Sequence, residues 1–340
     1  MKLFHWRCEP GNFGDDLNLW LWDVLVPGFR QQHPDVLLVG VGTVLKRGLL
    51  PEELTKLVVG SGVGYGPPPE VTGRPDWDVR CVRGPLTAEV LGVDPSLAVV
   101  DPAVMVGDMP EFKNLPKIYE ALFVPHWQSA IHGVWSAVAR AAQISYVSPC
   151  GDAKSVIRAI AQSKLVIAES MHAAIVADAL RVPWIAVKTR HDTHSFKWRD
   201  WAASLELTYR PEPIPPTTRA EAGAKSERFW GFQSAVTESA EEFAGGRGAQ
   251  EVAHSRQRHS VPKAIARHVL AAPAVLALRQ ARRAEPQLSR DSVLAERKER
   301  LRTVLAGIRR DYIVPGAVDR LQQVAGFRPR FAQPSDFTLN

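Results

Sequence analysis

Two histidines in the second half of the sequence each come just after an apolar segment. His126 follows the run that ends at Val124, and His172 follows the apolar run at 164–167 by a few residues. Ligands of parallel α/β sheets bind outside the carboxyl ends of the strands, so we expect both imidazoles to face one cleft. Histidine is also the side chain best suited to exchange a proton near neutral pH. Taken singly, a histidine is more often structural than catalytic, but two histidines at strand ends of the same half favour a shared site.

A second group of chemically useful residues lies near the amino terminus. Asn12, Gly14 and Asp15 follow a predicted strand at 2–6 and open a predicted helix at 15–26. Backbone N–H groups at such a junction favour an anion, and the helix dipole adds to this preference. We expect Asn12 and Asp15 to project into the cleft. The alternative is that Asp15 only caps the helix.

Arg83 and a glycine-rich loop mark two further strand ends in the first half. Arg83 lies between a predicted strand at 78–82 and a helix that begins at Pro85. Its guanidinium can bind a carboxylate or a phosphate through two hydrogen bonds, or it can form a surface salt bridge. Gly62 belongs to a loop that lacks the lysine of a P-loop. We interpret that loop as a cleft wall, with a plain turn as the alternative.

Cations and aromatic residues follow the last predicted strand, and this composition suits an anionic ligand beside a sugar ring. The cations considered for binding are Lys188, Arg190 and Lys197. Nucleic acid is not expected, because no stacking module accompanies these cations. His191 and His194 lack a third ligand at zinc-like spacing, so we predict no metal site.

Composition indicates a folded, enzyme-like protein. The chain has 340 residues, of which 45% are hydrophobic and 23% charged, and this excludes disorder of the whole chain. Its three cysteines show no CxxC spacing, which excludes a disulfide framework. No apolar run approaches the ~20 residues of a membrane helix, and no secretory signal opens the sequence. We therefore expect a cytoplasmic protein.

Strands alternate with helices throughout residues 1–215, which predicts an α/β fold of two doubly wound Rossmann-like domains. A polar segment at 107–117 separates them, so we place the domains at residues 1–113 and 114–215. Residues 216–340 are predicted to form a basic helical extension that is partly flexible. Between 251 and 310 it carries fourteen Lys and Arg residues against five Asp and Glu.

Five motifs occur in an order that resembles one known family. They are NFGDD at 12–16, VRGPLT at 82–87, DPAVM at 101–105, PHW at 125–127 and ESMHAAIVADALRVPW at 169–184. Together they resemble the polysaccharide pyruvyl transferases. The resemblance is greatest to the exopolysaccharide branch that makes pyruvate ketals on sugars of succinoglycan or xanthan type, and it covers roughly residues 1–205.

The resemblance implies a fold like that of GT-B glycosyltransferases. It implies phosphoenolpyruvate as the donor and no metal or organic cofactor. The implied acceptor is a lipid-linked oligosaccharide whose sugar has two neighbouring hydroxyls. On the fold alone, a nucleotide-sugar glycosyltransferase and a non-catalytic sugar-binding protein remain alternatives.

Carried over by motif, His172 is the expected general acid or hydrogen-bond donor to the phosphate, and Arg83 is expected to hold the carboxylate or the phosphate. Asp15 or His126 is expected to accept the proton of the acceptor. Asn12 and Gly14 belong to the amino-terminal signature.

The chain departs from the family pattern at Ser170, where many members have an arginine. We expect Lys188, Arg190 or Lys197 to supply the missing charge.

The basic extension has two interpretations. It is either a solvated or core-packing helical segment, or an attachment to anionic lipid at the inner face of the plasma membrane.

Overall fold

The computed structural model describes residues 1–189, 195–224, 234–237 and 261–313, and these residues form two five-stranded sheets. In chain order the strands are β1 (Lys2–Trp6), β2 (Val36–Val39), β3 (Thr55–Val59), β4 (Trp77–Cys81), β5 (Leu122–Val124), β6 (Ser145–Tyr146), β7 (Val166–Ala168), β8 (Trp184–Lys188), β9 (Glu212–Pro213) and β10 (Ser234–Thr237). The predicted α/β class with parallel sheets is therefore confirmed.

Helices connect and cover these strands. They are α1 (Phe13–Asp16), α2 (Asn18–Leu25), α3 (Pro85–Leu91), α4 (Trp127–His132), α5 (Trp135–Ala142), α6 (Ala153–Ala161), α7 (Met171–Ala179), α8 (Ser195–Ser204), α9 (Arg219–Ala224), α10 (Val261–Ala281) and α11 (Asp291–Tyr312). A 3₁₀ helix, Pro102–Asp108, lies between the two sheets in sequence.

The first sheet has the order β10-β1-β2-β3-β4, with β1 to β4 parallel and β10 antiparallel to β1. The order of its parallel strands never reverses, so this sheet differs from the doubly wound pattern expected. Both of its faces are nevertheless buried, one against α2 and the 3₁₀ helix, the other against the loops after β2 and β3. Burial on both faces explains the uninterrupted apolar sequence of β2.

The second sheet is entirely parallel and has the order β6-β5-β7-β8-β9. Its order reverses at β5, because the chain moves to one side to form β6 and then crosses to the other side to form β7. The loops that leave β5 and β7 therefore diverge and open a crevice at the carboxyl ends of these two strands. This crevice is where the second half of the chain is expected to bind a ligand.

Helix α7 is buried on every side, since all nine of its residues are buried. An apolar helix without a polar face is typical of a protein interior. α7 packs against the 3₁₀ helix Pro102–Asp108, and a Cβ added to Gly107 would lie 2.1 Å from the carbonyl oxygen of Ala179. Residues of both sheets belong to the hydrophobic core that surrounds α7. The start of α7 is therefore held rigidly.

The described part of the predicted extension contains three helices, α9 to α11, and also the strand β10, and α11 packs on the rest of the protein. Leu301, Leu305 and Ile308 of α11 are buried in the same core as α7. The backbones of Gln287 and Trp184 exchange two hydrogen bonds, which joins the segment before α11 to β8. The core-packing interpretation is therefore correct for α11. The predicted domain boundaries stay predictions.

The spacing of apolar and polar residues also predicts a helix at 129–143, a strand at 97–100, a continuous helix at 218–243 and a flexible connection at 245–262. The structure differs from the first three of these predictions, and it divides the helix predicted at 15–26 into α1 and α2. The helix predicted at 129–143 is two helices, because the chain turns at Gly133, whose added Cβ would lie 2.6 Å from the carbonyl oxygen of Ser129. The strand predicted at 97–100 is reduced to a single bridge between Val82 and Ala98. The continuous helix predicted at 218–243 is wrong, because β10 lies within it and covers the open edge of β1. The predicted flexible connection at 245–262 lies largely outside the described residues.

Candidate active site

A cavity of about 610 Å³ lies at the carboxyl ends of strands from both sheets. Six of the residues that line it follow β5 and β7 in the second sheet, and others follow the first three strands of the first sheet. The predicted site residues on its wall are Asn12, Asp15, His126, Ser170, His172 and Lys197. The fold therefore brings these six predicted residues together at one cavity, as their positions after strands predict.

His172 is the second residue of α7 and stands at the centre of this group. Its side chain lines the cavity but is only 7% exposed. The imidazole Nε2 is sealed from solvent and lies 3.7 Å from Oδ2 of Asp101. Gly14 touches the other edge of the ring, because a Cβ added there would lie 2.1 Å from Nδ1. Gly14 therefore acts by leaving room for the imidazole.

Asp15 follows Gly14 in the chain, and the side-chain amide of Asn12 donates a hydrogen bond to its carboxylate. The Asn12 Nδ2 to Asp15 Oδ2 distance is 2.6 Å. Burial raises the pKa of the Asp15 carboxyl, and the nearby imidazoles of His172 and His5 partly oppose that rise. A carboxyl with a raised pKa is suited to give and take a proton closer to neutral pH.

His126 and Ser170 form the wall that belongs to β5 and β7. His126 caps the start of α4, and its backbone N–H donates to Oε2 of Glu169 at 2.9 Å. The other oxygen of Glu169 accepts from the Thr189 hydroxyl at 2.7 Å. Ser170 precedes α7, so the amino-terminal end of that helix opens on the cavity and adds partial positive charge.

Lys197 brings a full positive charge to the cavity. Its side chain is mostly buried, and its Nζ donates to the Tyr65 hydroxyl at 2.8 Å while lying 5.2 Å from the centre of that ring. Lys46 lines the same cavity. Of the three cations considered to replace the family arginine at Ser170, Lys197 lies at the cavity. Lys188 ends β8 away from the cavity wall, and Arg190 lies outside the described residues.

Arg83 lies apart from the cavity, in contrast to the expectation that it contacts the donor. Its guanidinium is fully buried and donates to Asp200 Oδ2 at 3.0 Å, to Thr43 Oγ1 at 2.7 Å and to the carbonyl of Val63 at 2.9 Å. Gly62 lies behind it, because an added Cβ would be 2.3 Å from the guanidinium carbon. Thr43 does line the cavity, so Arg83 supports the wall through Thr43.

Several residues of the cavity wall are absent from the sequence-based candidates. They are Trp6, Cys8, Thr43, Lys46 and Tyr65. All lie within a few residues of the carboxyl end of β1, β2 or β3, which is the signal that could have identified them. Burial, with the Asp15 and Asp16 carboxylates nearby, raises the pKa of the Cys8 thiol to about 12. Cys8 is therefore protonated at neutral pH and is no nucleophile.

The described residues show neither a cluster of metal ligands nor a helix that could span a membrane. In the part of the chain that the structure describes, no three His, Cys, Asp or Glu side chains cluster as metal ligands would. Over the same residues, no helix combines the length and the apolar character needed to cross a bilayer. His191 and His194, the metal pair considered above, lie outside the described residues.

Comparison with known proteins gives two matches. The family model for polysaccharide pyruvyl transferase matches residues 12–191. The chain is also 58% identical, over 315 residues, to the succinoglycan biosynthesis protein ExoV of Rhizobium meliloti (strain 1021), and the alignment covers 92% of this chain and 100% of that protein. No solved structure matches the chain. These matches confirm the resemblance that the five motifs predict. The chain therefore belongs to the polysaccharide pyruvyl transferase family and is a transferase enzyme.

Proposed function

We propose that this enzyme transfers the enolpyruvyl group of phosphoenolpyruvate to two hydroxyls of a sugar in an exopolysaccharide repeat unit. The products are a pyruvate ketal and phosphate. The observation that supports this most directly is the convergence of His172, Asp15 and Lys197 on one cavity. The succinoglycan role named for the ExoV relative favours an exopolysaccharide acceptor.

The charges of the cavity suit this donor. Phosphoenolpyruvate carries a phosphate and a carboxylate, and both need positive charge in a site that is shielded from water. Lys197 and Lys46 supply cations, and the amino-terminal end of α7 adds backbone donors beside Ser170. We assign phosphoenolpyruvate to the part of the cavity that these groups line, and we assign to Lys197 the role of the absent family arginine.

The reaction balances without a cofactor. A proton adds to the methylene carbon of phosphoenolpyruvate, which leaves an oxocarbenium-like centre at the adjacent carbon. One sugar hydroxyl bonds to that centre and loses its proton. The carbon–oxygen bond to phosphate then breaks, and a second hydroxyl bonds to the same carbon and closes the ketal ring. The two hydroxyl protons replace the one delivered to the methylene carbon and the one carried away by phosphate.

His172 and Asp15 are the groups placed to move these protons. We assign His172 as the acid that protonates the methylene carbon or the departing phosphate. Asp15, whose pKa is raised by burial, then accepts the proton of the attacking hydroxyl, and His126 is the alternative acceptor on the opposite wall. Each well-placed acid or base contributes a factor of ~10²–10⁴ to the rate.

Two tryptophan side chains on the cavity wall suit binding of the acceptor sugar. Trp6 ends β1 and Trp127 begins α4, and both line the cavity. An aromatic ring offers a flat apolar face with a polar edge, which suits the C–H face of a pyranose. We place the acceptor sugar beside these two rings.

The test is phosphate release from phosphoenolpyruvate, with and without an extract of lipid-linked oligosaccharide. Release that depends on the extract, together with a glycan that gains the mass of a pyruvate ketal, supports the proposal. Turnover of a nucleotide sugar in place of phosphoenolpyruvate would identify a glycosyltransferase instead. Failure to bind either donor would favour a non-catalytic sugar-binding protein.

The two-domain, GT-B-like arrangement is likewise a proposal. It is supported by a set of four parallel strands, β1 to β4, followed along the chain by a second set of five, β5 to β9, and by a cavity at the carboxyl ends of both sets. Limited proteolysis that yields two stable fragments, cut near residue 113, would support it.

Peripheral contact with an anionic membrane is a further proposal. The cations of α11 are largely paired, since Lys298 and Arg302 both contact Asp108. Arg282 and Arg283, after α10, are exposed, and we assign the contact to them. Replacing both with Glu should reduce sedimentation with phosphatidylserine vesicles at low salt, and unchanged sedimentation would contradict the assignment.

A further inference from the structure

We propose that Asp101 is a positioning residue for His172: its Oδ2 binds the Nε2–H of the imidazole and directs Nδ1 to the cavity. The inference rests on the proposed function for the role of His172 in turnover. The geometry of the pair itself is independent of that function.

The two side chains hold complementary atoms that face each other. Asp101 is fully buried, and its Oδ1 accepts the backbone N–H of Ala103 at 3.0 Å, which caps the 3₁₀ helix. Its other oxygen, Oδ2, is buried without a hydrogen-bond partner, and so is Nε2 of His172. These two atoms are 3.7 Å apart.

An unpaired buried carboxylate oxygen is costly, and a proton on Nε2 satisfies both atoms at once. The distance exceeds an ordinary hydrogen bond by less than 1 Å. Such bonds are often long before substrate binds and shorten in the reactive complex.

The arrangement determines which nitrogen reacts. With Nε2 buried and facing Asp101, Nδ1 is the ring nitrogen left for a ligand in the cavity that the His172 side chain lines. Asp101 also stabilises the ring when both nitrogens carry protons, which is the state that an acid must reach before it gives one away. A carboxylate behind a catalytic imidazole performs the same task in other enzymes.

The hydrogen bond from the Ala103 N–H fixes the orientation of an amide at position 101, so Asp101→Asn has a predictable effect on His172. Only the amide oxygen can accept the Ala103 N–H, so the amide NH₂ must point at Nε2 of His172. A donor at that place forces the neutral ring to carry its proton on Nδ1. The cap and the side-chain volume are kept, while the carboxylate is lost.

The chain offers a matched control in Asp94. It also precedes a proline and caps a 3₁₀ helix, with Oδ1 accepting the Ser96 N–H at 2.7 Å, but it lies at the exposed surface. Asp94→Asn therefore makes the same change from carboxylate to amide at a helix cap that does not face His172.

The experiment compares both variants with the parent protein by kinetics and by ¹⁵N NMR of labelled histidine, with the His172 signals assigned from H172A. We expect D101N to lower kcat by about 10²-fold or more, with little change in the KM for phosphoenolpyruvate. We expect the neutral ring to change from the Nε2–H to the Nδ1–H tautomer. D94N should alter neither readout, and all three proteins should unfold at similar temperatures.

Two results would overturn the inference: an Nδ1–H tautomer in the parent protein, or a D101N variant within about threefold of D94N in kcat. If the parent protein releases no phosphate from phosphoenolpyruvate with the extract, the proposed function fails. The tautomer in the parent and in D101N then decides the inference alone.

Discussion

Two buried acid–base pairs flank the cavity, and they differ in how completely their polar atoms are bonded. In the Arg83–Asp200 pair, three guanidinium nitrogens each have an acceptor, and Asp200 also accepts from the hydroxyl and the N–H of Thr87. In the His172–Asp101 pair, the two facing atoms lack partners. Each guanidinium nitrogen of the first pair therefore already has an acceptor in the protein, whereas the two facing atoms of the second pair have no hydrogen-bond partner.

This difference indicates that the Arg83–Asp200 pair stabilises the structure, whereas the His172–Asp101 pair takes part in the reaction. A buried ion pair is tolerated when its hydrogen bonds are complete, and it then fixes the elements that it joins. Arg83 and Asp200 join the start of α3 to α8, which also presents Lys197 to the cavity. An incompletely bonded polar pair in a native site is more often part of the function. The predictions below test this contrast.

The largest effect is expected for His172→Ala. Loss of the acid should lower kcat/KM by a factor of ~10²–10⁴, because no neighbouring group on the described wall replaces the imidazole at Nδ1. Thermal unfolding should change little, since the side chain lines the cavity and water can occupy the space that the imidazole leaves. Steady-state phosphate release measures the effect, and activity equal to that of the parent would contradict the assignment.

Arg83→Met should act mainly on stability. It leaves the Asp200 carboxylate buried without its cation, and we expect a loss of about 3–5 kcal/mol in the free energy of unfolding. The double variant R83M/D200N should recover part of this loss, because it removes the unpaired charge. Urea denaturation measures both. Unchanged stability with a greatly raised KM for phosphoenolpyruvate would instead show that Arg83 contacts the donor.

Gly14→Ala and Gly62→Ala form a matched test. The Cβ added at position 14 would collide with His172 of one pair, and the Cβ added at position 62 would collide with Arg83 of the other. The closest approaches are 2.1 Å to His172 Nδ1 and 2.3 Å to the Arg83 guanidinium carbon. Displacing the imidazole by about 1 Å should cost roughly 10²-fold in kcat. Displacing the guanidinium should cost about 1–3 kcal/mol of stability with a smaller effect on kcat. If both variants change kcat and stability to the same extent, the distinction between a catalytic His172 pair and a structural Arg83 pair is wrong.

The smallest effect is expected for Thr43→Val. The change removes the acceptor for Arg83 Nη1, but the position borders the cavity, where water can replace the hydroxyl. We expect a loss of about 1 kcal/mol in stability, measured by denaturation. Thr87→Val, whose hydroxyl is fully buried against Asp200, serves as the comparison and should cost more.

The sequence predicted those parts of the site that depend on strand ends. Asn12, Asp15, His126 and His172 all follow strands, and parallel strands bring such positions to one edge, so their convergence could be expected. The partners of Arg83 could not be expected, because Asp200 lies 117 residues away. Local sequence shows that an arginine follows a strand. It does not show whether its guanidinium turns to the cavity or to a carboxylate behind the wall.

The same limit applies to the fold. Apolar runs and their spacing determined most strands and helices, because burial on one or both faces leaves a local pattern in the sequence. Tertiary structure alone decided that β10 pairs with β1, that α11 completes the core around α7, and that Asp101 faces His172. These are contacts between distant segments, and they depend on how buried surfaces and hydrogen-bonding groups of the whole chain are satisfied together.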